Sequence, residues 1–255
     1  MFTIREYAMP ETLDEAYTIL KSRKGNQILG GCAWLRLGKK RINIAVDLTK
    51  CGLDYIREDD EQIEIGAMTS YRSVETCDIL KKYFNGVIAD SVSSIIGTQF
   101  RNTVTVALDT SVVLYKRGSI SLETFMTMPY EKEIIEKIVI KKDGRKSSYQ
   151  MFRNSRGDFP ILNLAASRTE AGQWIVTVGA RGPKAIRAEK TAAFLSDKLS
   201  QNALKAEDVE AVIQEAGEIL VSEVTFTSNM RASAEYRRIL GKVLLGKAVR
   251  EVMAC

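Results

Sequence analysis

Within the first fifty residues a capped helix, an apolar strand, a glycine pair and a second strand follow one another, the order of a small α/β unit. Thr12-Leu13-Asp14-Glu15 is a capping box, and Leu13, Ala16, Tyr17 and Leu20 follow at helical spacing. Gly25 suits the helix stop. Gln27-Ile28-Leu29 reads as a strand, Gly30-Gly31 as its turn, Cys32 to Leu37 as a short helical segment, and Asn43 to Asp47 as the next strand.

The pattern then changes. Gln62 to Ile65 alternates as a strand, and helices are predicted over Ser70 to Phe84 and Val87 to Ile96, the latter stopping at Gly97. Strands follow at Thr103–Val106, Thr110–Tyr115 and Ile134–Ile140. Met151–Ser167 and Trp174–Val178 read as a hairpin turning at Glu170-Ala171-Gly172. Helices are expected over Ala188–Leu199, Ala206–Ser222 and from about Met230. On the last, Tyr236, Ile239, Leu240, Val243 and Leu244 form one apolar stripe. Thr103 to Tyr115 is anomalous: thirteen residues of strand formers with no Gly, Pro or Asn to turn on, about twice the usual strand length.

The 255 residues contain no histidine. That removes Ser-His-Asp and Cys-His catalysis, His-ligated zinc and the usual base near neutral pH. Cys32, Cys51, Cys77 and Cys255 include no Cys-x-x-Cys pair, so no zinc ribbon or iron–sulfur loop is expected, and a reduced, cytoplasmic setting is. No metal-binding or catalytic residue is assigned. No apolar run approaches the ~18 residues of a membrane span, and the opening residues do not resemble a signal peptide. With 37 Lys and Arg against 32 Asp and Glu, the excess of five positive charges reads as dispersed. No basic stripe interleaved with aromatics speaks for nucleic acid.

Gly30-Gly31 behind a strand is a candidate phosphate cradle, because backbone without Cβ atoms can approach an anion. A tight turn is the plainer reading. Asp47 could accept a ribose hydroxyl or simply cap a turn. Arg101-Asn102 could reach a phosphate or lie solvated in a loop. Trp34 could flank a flavin or adenine ring or sit in the core. Cys32 reads as a packing residue. Arg156-Gly157-Asp158 reads as part of a polar turn with Arg153, ahead of a strand Phe159–Leu162.

In sequence order these segments resemble the flavin-binding subunit of the molybdenum hydroxylases, the xanthine dehydrogenase and carbon monoxide dehydrogenase medium-subunit family. The resemblance runs through Ile28–Leu35, Val46–Thr49 with Leu53–Ile56, Ile65–Thr69, Ile96–Asn102, Ser155–Phe159 and Met230–Arg238. It implies an α+β fold: a two-subdomain FAD-binding fold of the PCMH type (1–55 and 56–147), followed by a C-terminal subdomain of small antiparallel sheet plus helices (148–255). It also implies FAD on this chain, with molybdopterin on a large partner subunit and a 2Fe–2S relay on a small one. Electrons would leave through FAD to NAD or another acceptor.

Carried over by position, Leu29, Gly30, Gly31, Cys32, Ala33 and Trp34 would hold the pyrophosphate through backbone N–H groups. Thr105 and Val106 would lead into a second phosphate loop, Ile135 would lie against the isoalloxazine, and Gln150 would fall near a flavin contact. Cys32-Ala33 replaces the polar pair the family places after its first glycines. Between Val106 and Ala107 the family's second glycine loop and most of a helix have no counterpart. The preferred reading of that gap is residues left out of the written sequence, not a true deletion. Two rival functions are a flavin-free scaffold subunit of such a complex and a basic nucleotide- or nucleic-acid-binding module.

Overall fold

The computed structural model describes residues 1–32, 35–93, 103–129, 131–155, 158–182, 184–199 and 206–254. The fold is α+β, in two units. Among the described residues the first contains 1–74 and 110–140, and the second 75–93, 103–109 and 141–254.

The first unit opens with β1 (Thr3–Ala8), α1 (Leu13–Ser22), β2 (Gln27–Leu29) and β3 (Arg41–Asp47). The three strands form a parallel sheet in the order β1-β3-β2. Thr12 caps α1 as the sequence predicts, its hydroxyl accepting from the Glu15 N–H at 3.2 Å. Ala16 and Leu20 of α1 pack with Val46, Leu48, Leu53 and Ile134. Next come β4 (Ile56–Glu58), β5 (Gln62–Gly66) and α2 (Tyr71–Thr76). After three helices of the second unit, α3 (Asp78–Lys82), α4 (Val87–Val92) and α5 (Thr103–Ala107), the chain returns with β6 (Ser111–Leu114), β7 (Gly118–Ser121), α6 (Leu122–Thr127) and β8 (Ile135–Lys141). These complete a five-stranded sheet in the order β4-β5-β8-β6-β7.

The second unit is built on β9 (Lys146–Phe152), β10 (Leu162–Arg168), β11 (Trp174–Gly179) and β12 (Ile186–Arg187), antiparallel throughout. Leu162, Leu164, Ala166, Trp174, Val176 and Val178 face α7 (Glu189–Lys198), α8 (Ala206–Glu223) and α9 (Ala234–Ala254), forming one core. By strand alternation Asn163, Ala165, Ser167, Thr177 and Gly179 face the other way, and α5 lies on that side against β10 and β11. A Cβ on Gly179 would come within 2.1 Å of Thr103 Oγ1 and 2.2 Å of Asn163 Oδ1, so only glycine admits α5 here.

Several sequence expectations are corrected. The helix expected over 70–84 breaks at Cys77, whose ψ of 121° is extended. Phe84, Asn85 and Gly86 then turn left-handed in succession, ahead of α4. Thr103–Val106 lies in a helix, not a strand, although four of the five residues of Thr103–Ala107 are β-branched and prefer strands. Its residues are no more than 3% exposed. Its last carbonyls are capped from outside: Ala107 O accepts from Ser167 Oγ at 2.5 Å and Arg145 NH1 at 3.1 Å, and Val106 O from Arg187 NH2 at 3.4 Å. The Leu108 N–H bonds Val104 O at 2.9 Å, so residues 103–114 form a closed helix, turn and strand across the point where the family gap falls. The single strand expected over 151–167 is the end of β9, a turn and β10. On α9, Leu240 and Leu244 are buried, but Tyr236, Ile239 and Val243 face outward.

Arg237 takes the inward place instead, only 1% exposed. Its Nε donates to Ile161 O at 2.9 Å, NH1 to Thr227 O and to Ala232 O at 3.2 Å, and NH2 to Asn229 Oδ1 at 2.7 Å. Burial and the nearby Arg231 charge pull its pKa below the ordinary guanidinium value. Arg237→Met keeps the apolar stem but takes the donor from the Ile161 and Thr227 carbonyls, Ala232 O keeping the Asn229 N–H at 3.0 Å, and is expected to cost about 3–5 kcal/mol. Denaturant unfolding followed through buried Trp174 measures it; a loss under about 1 kcal/mol would show that water replaces the guanidinium.

Candidate functional site

In the first unit, β2 and β3 end together, with Leu29 paired to Asp47. The carboxyl edge of a parallel sheet is where loops splay and ligands bind. Leu29, Gly30, Gly31 and Cys32 leave β2 at that edge; both glycines are exposed and Leu29 and Cys32 are half-buried. A Cβ built on Gly30 meets no atom within 4 Å, so this backbone faces open space and not a neighbouring element. Cys32 adopts a left-handed conformation with φ of 56°. A left-handed residue in such a turn gathers successive N–H groups into an anion-binding concavity. The loop then closes on itself, the Arg36 N–H donating to Cys32 O at 3.1 Å at the 3₁₀ turn Leu35–Leu37. Ala33 and Trp34, predicted members of the same loop, lie outside the described residues.

The side chains around the loop are structural. Cys32 Sγ is 3.0 Å from Gly30 O, and burial, then the Asp47 charge, push its thiol pKa up, so it stays protonated. Asp47 has both oxygens engaged. Oδ1 accepts from Thr49 Oγ1 at 2.5 Å and the Thr49 N–H at 2.9 Å, and Oδ2 from the Tyr7 hydroxyl at 2.5 Å. These bonds tie the end of β3 to β1, the capping role left open by sequence. They also hold the Asp47 carboxyl below its usual range, the Thr49 side chain contributing most. Tyr7 lies forty positions away and had no local signal to announce it.

The other predicted residues are elsewhere. Ile135, half-buried at the start of β8, pairs with Leu114 beside a bulge. Thr105 and Val106 lie enclosed in α5 of the second unit. Gln150 of β9 gives its amide to Glu251 Oε2 at 2.5 Å and Ser148 Oγ at 3.0 Å. Arg101, Asn102, Arg156 and Gly157 lie outside the described residues. Asp158 pairs with Arg231, which also stacks 5.0 Å from the Phe159 ring centroid. Among the described residues no group of three Cys, Asp or Glu is placed to hold a metal, and no helix is long and apolar enough to cross a membrane.

Residues 29–32 suit a diphosphate by their open backbone at Gly30 and exposed glycine pair, while the neighbouring Asp47 carboxylate is bonded to Tyr7 and Thr49. The family model for the FAD binding domain in molybdopterin dehydrogenase matches residues 2–107. The model for the CO dehydrogenase flavoprotein C-terminal domain matches 147–252. The glyceraldehyde dehydrogenase medium chain of Sulfolobus acidocaldarius is 22% identical, covering 96% of this chain and 97% of its own. That alignment spans 277 positions against the 255 residues here, so the relative carries residues without counterparts in this chain. Carbon monoxide dehydrogenase from Hydrogenophaga pseudoflava superposes with a TM-score of 0.82 at 20% identity, covering 99% of this chain and 98% of the other. Quinoline 2-oxidoreductase from Pseudomonas putida 86 gives 0.83 at 17%, covering 100% and 98%.

Because its folded pKa is depressed, the Asp47 carboxylate contributes stability above the unfolded value of about 4. That contribution disappears as pH falls through the carboxylate range. Asp47→Asn should therefore be less stable at neutral pH, with a shallower decline on acidification, as urea midpoints against pH would reveal. Parallel profiles for the two proteins would show that these bonds leave the carboxyl unperturbed.

Proposed function

Because this chain belongs to the family of FAD-binding medium subunits of the molybdenum hydroxylases, we propose that it holds FAD on the loop after β2 as the electron-transfer subunit of such an oxidoreductase. The observation that carries this is the open, glycine-bearing turn at the carboxyl edge of the parallel sheet, inside the segment that the FAD-binding model matches. In this reading the N–H groups of residues 29–34 hold the diphosphate. Ile135 supplies apolar surface for the ring system. Thr105 and Val106 act through the helix that encloses them, not as an exposed loop, and Gln150 stays available only by yielding its bond to Glu251. FAD, when bound, takes up and returns the electrons; the protein supplies position and electrostatics.

The donor in this proposal is a small 2Fe–2S subunit, the substrate-oxidising centre is molybdopterin on a large subunit, and the acceptor is NAD or another oxidant. A cytoplasmic complex fits this scheme.

A second reading has one observation behind it. The backbone of 103–107 is consumed inside α5, so among the described residues no open loop stands where the second phosphate loop is expected. A flavin-free scaffold of the same fold would tolerate that. We also propose, against the omission expected from sequence, that the short connection through 103–114 is native. The purified complex, denatured and separated by mass, distinguishes these readings. Expected are a chain of 28.4 kDa and close to one released FAD per chain. Gly30→Ala should leave unfolding unchanged or stabilised by about 0.4–1 kcal/mol, while FAD affinity drops at least about tenfold, ~1.4 kcal/mol. Complexes devoid of flavin, wild type included, would establish the scaffold.

A further inference from the structure

The first unit has as many Asp and Glu as Lys and Arg, but a group of its cations shares one end. Parallel pairing of Gln27 with Ala45, and a bond from the Asn43 N–H to Gly25 O at 3.1 Å, bring the end of α1 beside the start of β3. Lys21, Arg23 and Lys24 at the helix end thus neighbour Lys39, Lys40 and Arg41, and all six are exposed. Lys132 joins them, its ammonium bonded to Leu20 O at 3.1 Å and to Arg23 O. Burial lowers its pKa, and Lys21 and Lys40 lower it further, so both groups of cations act on one point.

None of the six exposed cations makes an ion pair among the described residues. Of the two carboxylates that flank Lys132 in sequence, Glu131 pairs with Arg117, and Glu133 accepts from the Ile134 N–H at 2.9 Å. The negative end of α1 amounts to about half a charge, and Lys132 already sits on its carbonyls. Six like charges without an ion pair among the described residues repel one another unless something else meets them.

We propose that this end of the first unit, where the parallel strands begin, is a docking surface for the acidic face of a partner protein. Charge complementarity identifies the occupant. A single-stranded nucleic acid would want exposed rings for stacking, and the neighbouring aromatic, Tyr17, is already covered by Lys21 and Lys116 at 5.3 and 5.5 Å and packed against Tyr115. The seven residues of β3 separate this surface from the glycine loop by about 20 Å. A partner seated here leaves the loop uncovered, so the contact serves assembly or steering.

The test uses the full chain with poly-L-glutamate as the acidic polypeptide, and a DNA duplex and phosphatidylserine vesicles as competitors. The wild type should bind poly-L-glutamate in a salt-sensitive manner. Lys24→Glu with Lys39→Glu and Lys40→Glu should weaken binding at least about tenfold, and the corresponding Gln triple should weaken it less. Lys190→Glu with Arg238→Glu and Lys247→Glu alters net charge equally on the second unit and should leave binding within about threefold. FAD content should be the same in every variant, which separates this surface from the flavin reading. Equal losses in the two Glu triples, or tighter binding of DNA or vesicles than of poly-L-glutamate, overturn the proposal.

Discussion

Buried carbonyl oxygens that no helix or strand ladder can satisfy are gathered onto long cationic side chains, and the second unit depends on this. Arg237 serves Ile161, Thr227 and Ala232; Arg145 and Arg187 serve the end of α5; Arg168 serves Leu199 at the end of α7. Some replace a backbone partner that an irregular segment lacks and others add to one, as at Ala232 O, which also accepts from the Asn229 N–H; leaving such an oxygen dry and unpaired costs more than the bond itself contributes. An arginine suits the task because one planar group serves several oxygens at fixed angles. In the first unit Lys132 does the same for α1.

This use of cations explains why a charge count says little about the protein. Arginines that read as surface residues in the sequence are internal scaffolding, while the six cations at the end of α1 and the start of β3 make no ion pair among the described residues. Separating the two kinds of cation leaves one basic end in a first unit whose charges otherwise balance. The opposite end of the same strand carries the glycine turn, and there Asp47 is occupied in holding β1 to β3. A single parallel sheet thus presents a charge-rich edge and a backbone-rich edge, with different chemistry at each.

The legible parts of the sequence are those whose signals are local. Thr12 with Glu15 marked α1, Glu170-Ala171-Gly172 marked the β10–β11 turn, and Gly30-Gly31 marked the loop at the sheet edge. The rest was decided by distant contacts. Thr103–Ala107 has the composition of a strand and becomes a helix because Gly179 leaves room for it and Ser167, Arg145 and Arg187 close its end. The stripe on α9 was half misread because Arg237, a charged residue by type, takes a core position when three carbonyls await it. The Asp47–Tyr7 bond joins strands forty residues apart, beyond any spacing rule.

The enclosure of α5 also bears on the order in which the protein is made. The side chains that close its end lie between 38 and 81 residues further along the chain. A ribosome delivers Thr103–Ala107 well before Arg145, Ser167 or Arg187 exists, and a five-residue β-branched segment has no helix to form alone. It must therefore remain uncommitted until β10, β11 and β12 have emerged, then close as a late piece. In the finished protein its amides should exchange with solvent as a group with that sheet, as one cooperative unit whose members are far apart in the chain.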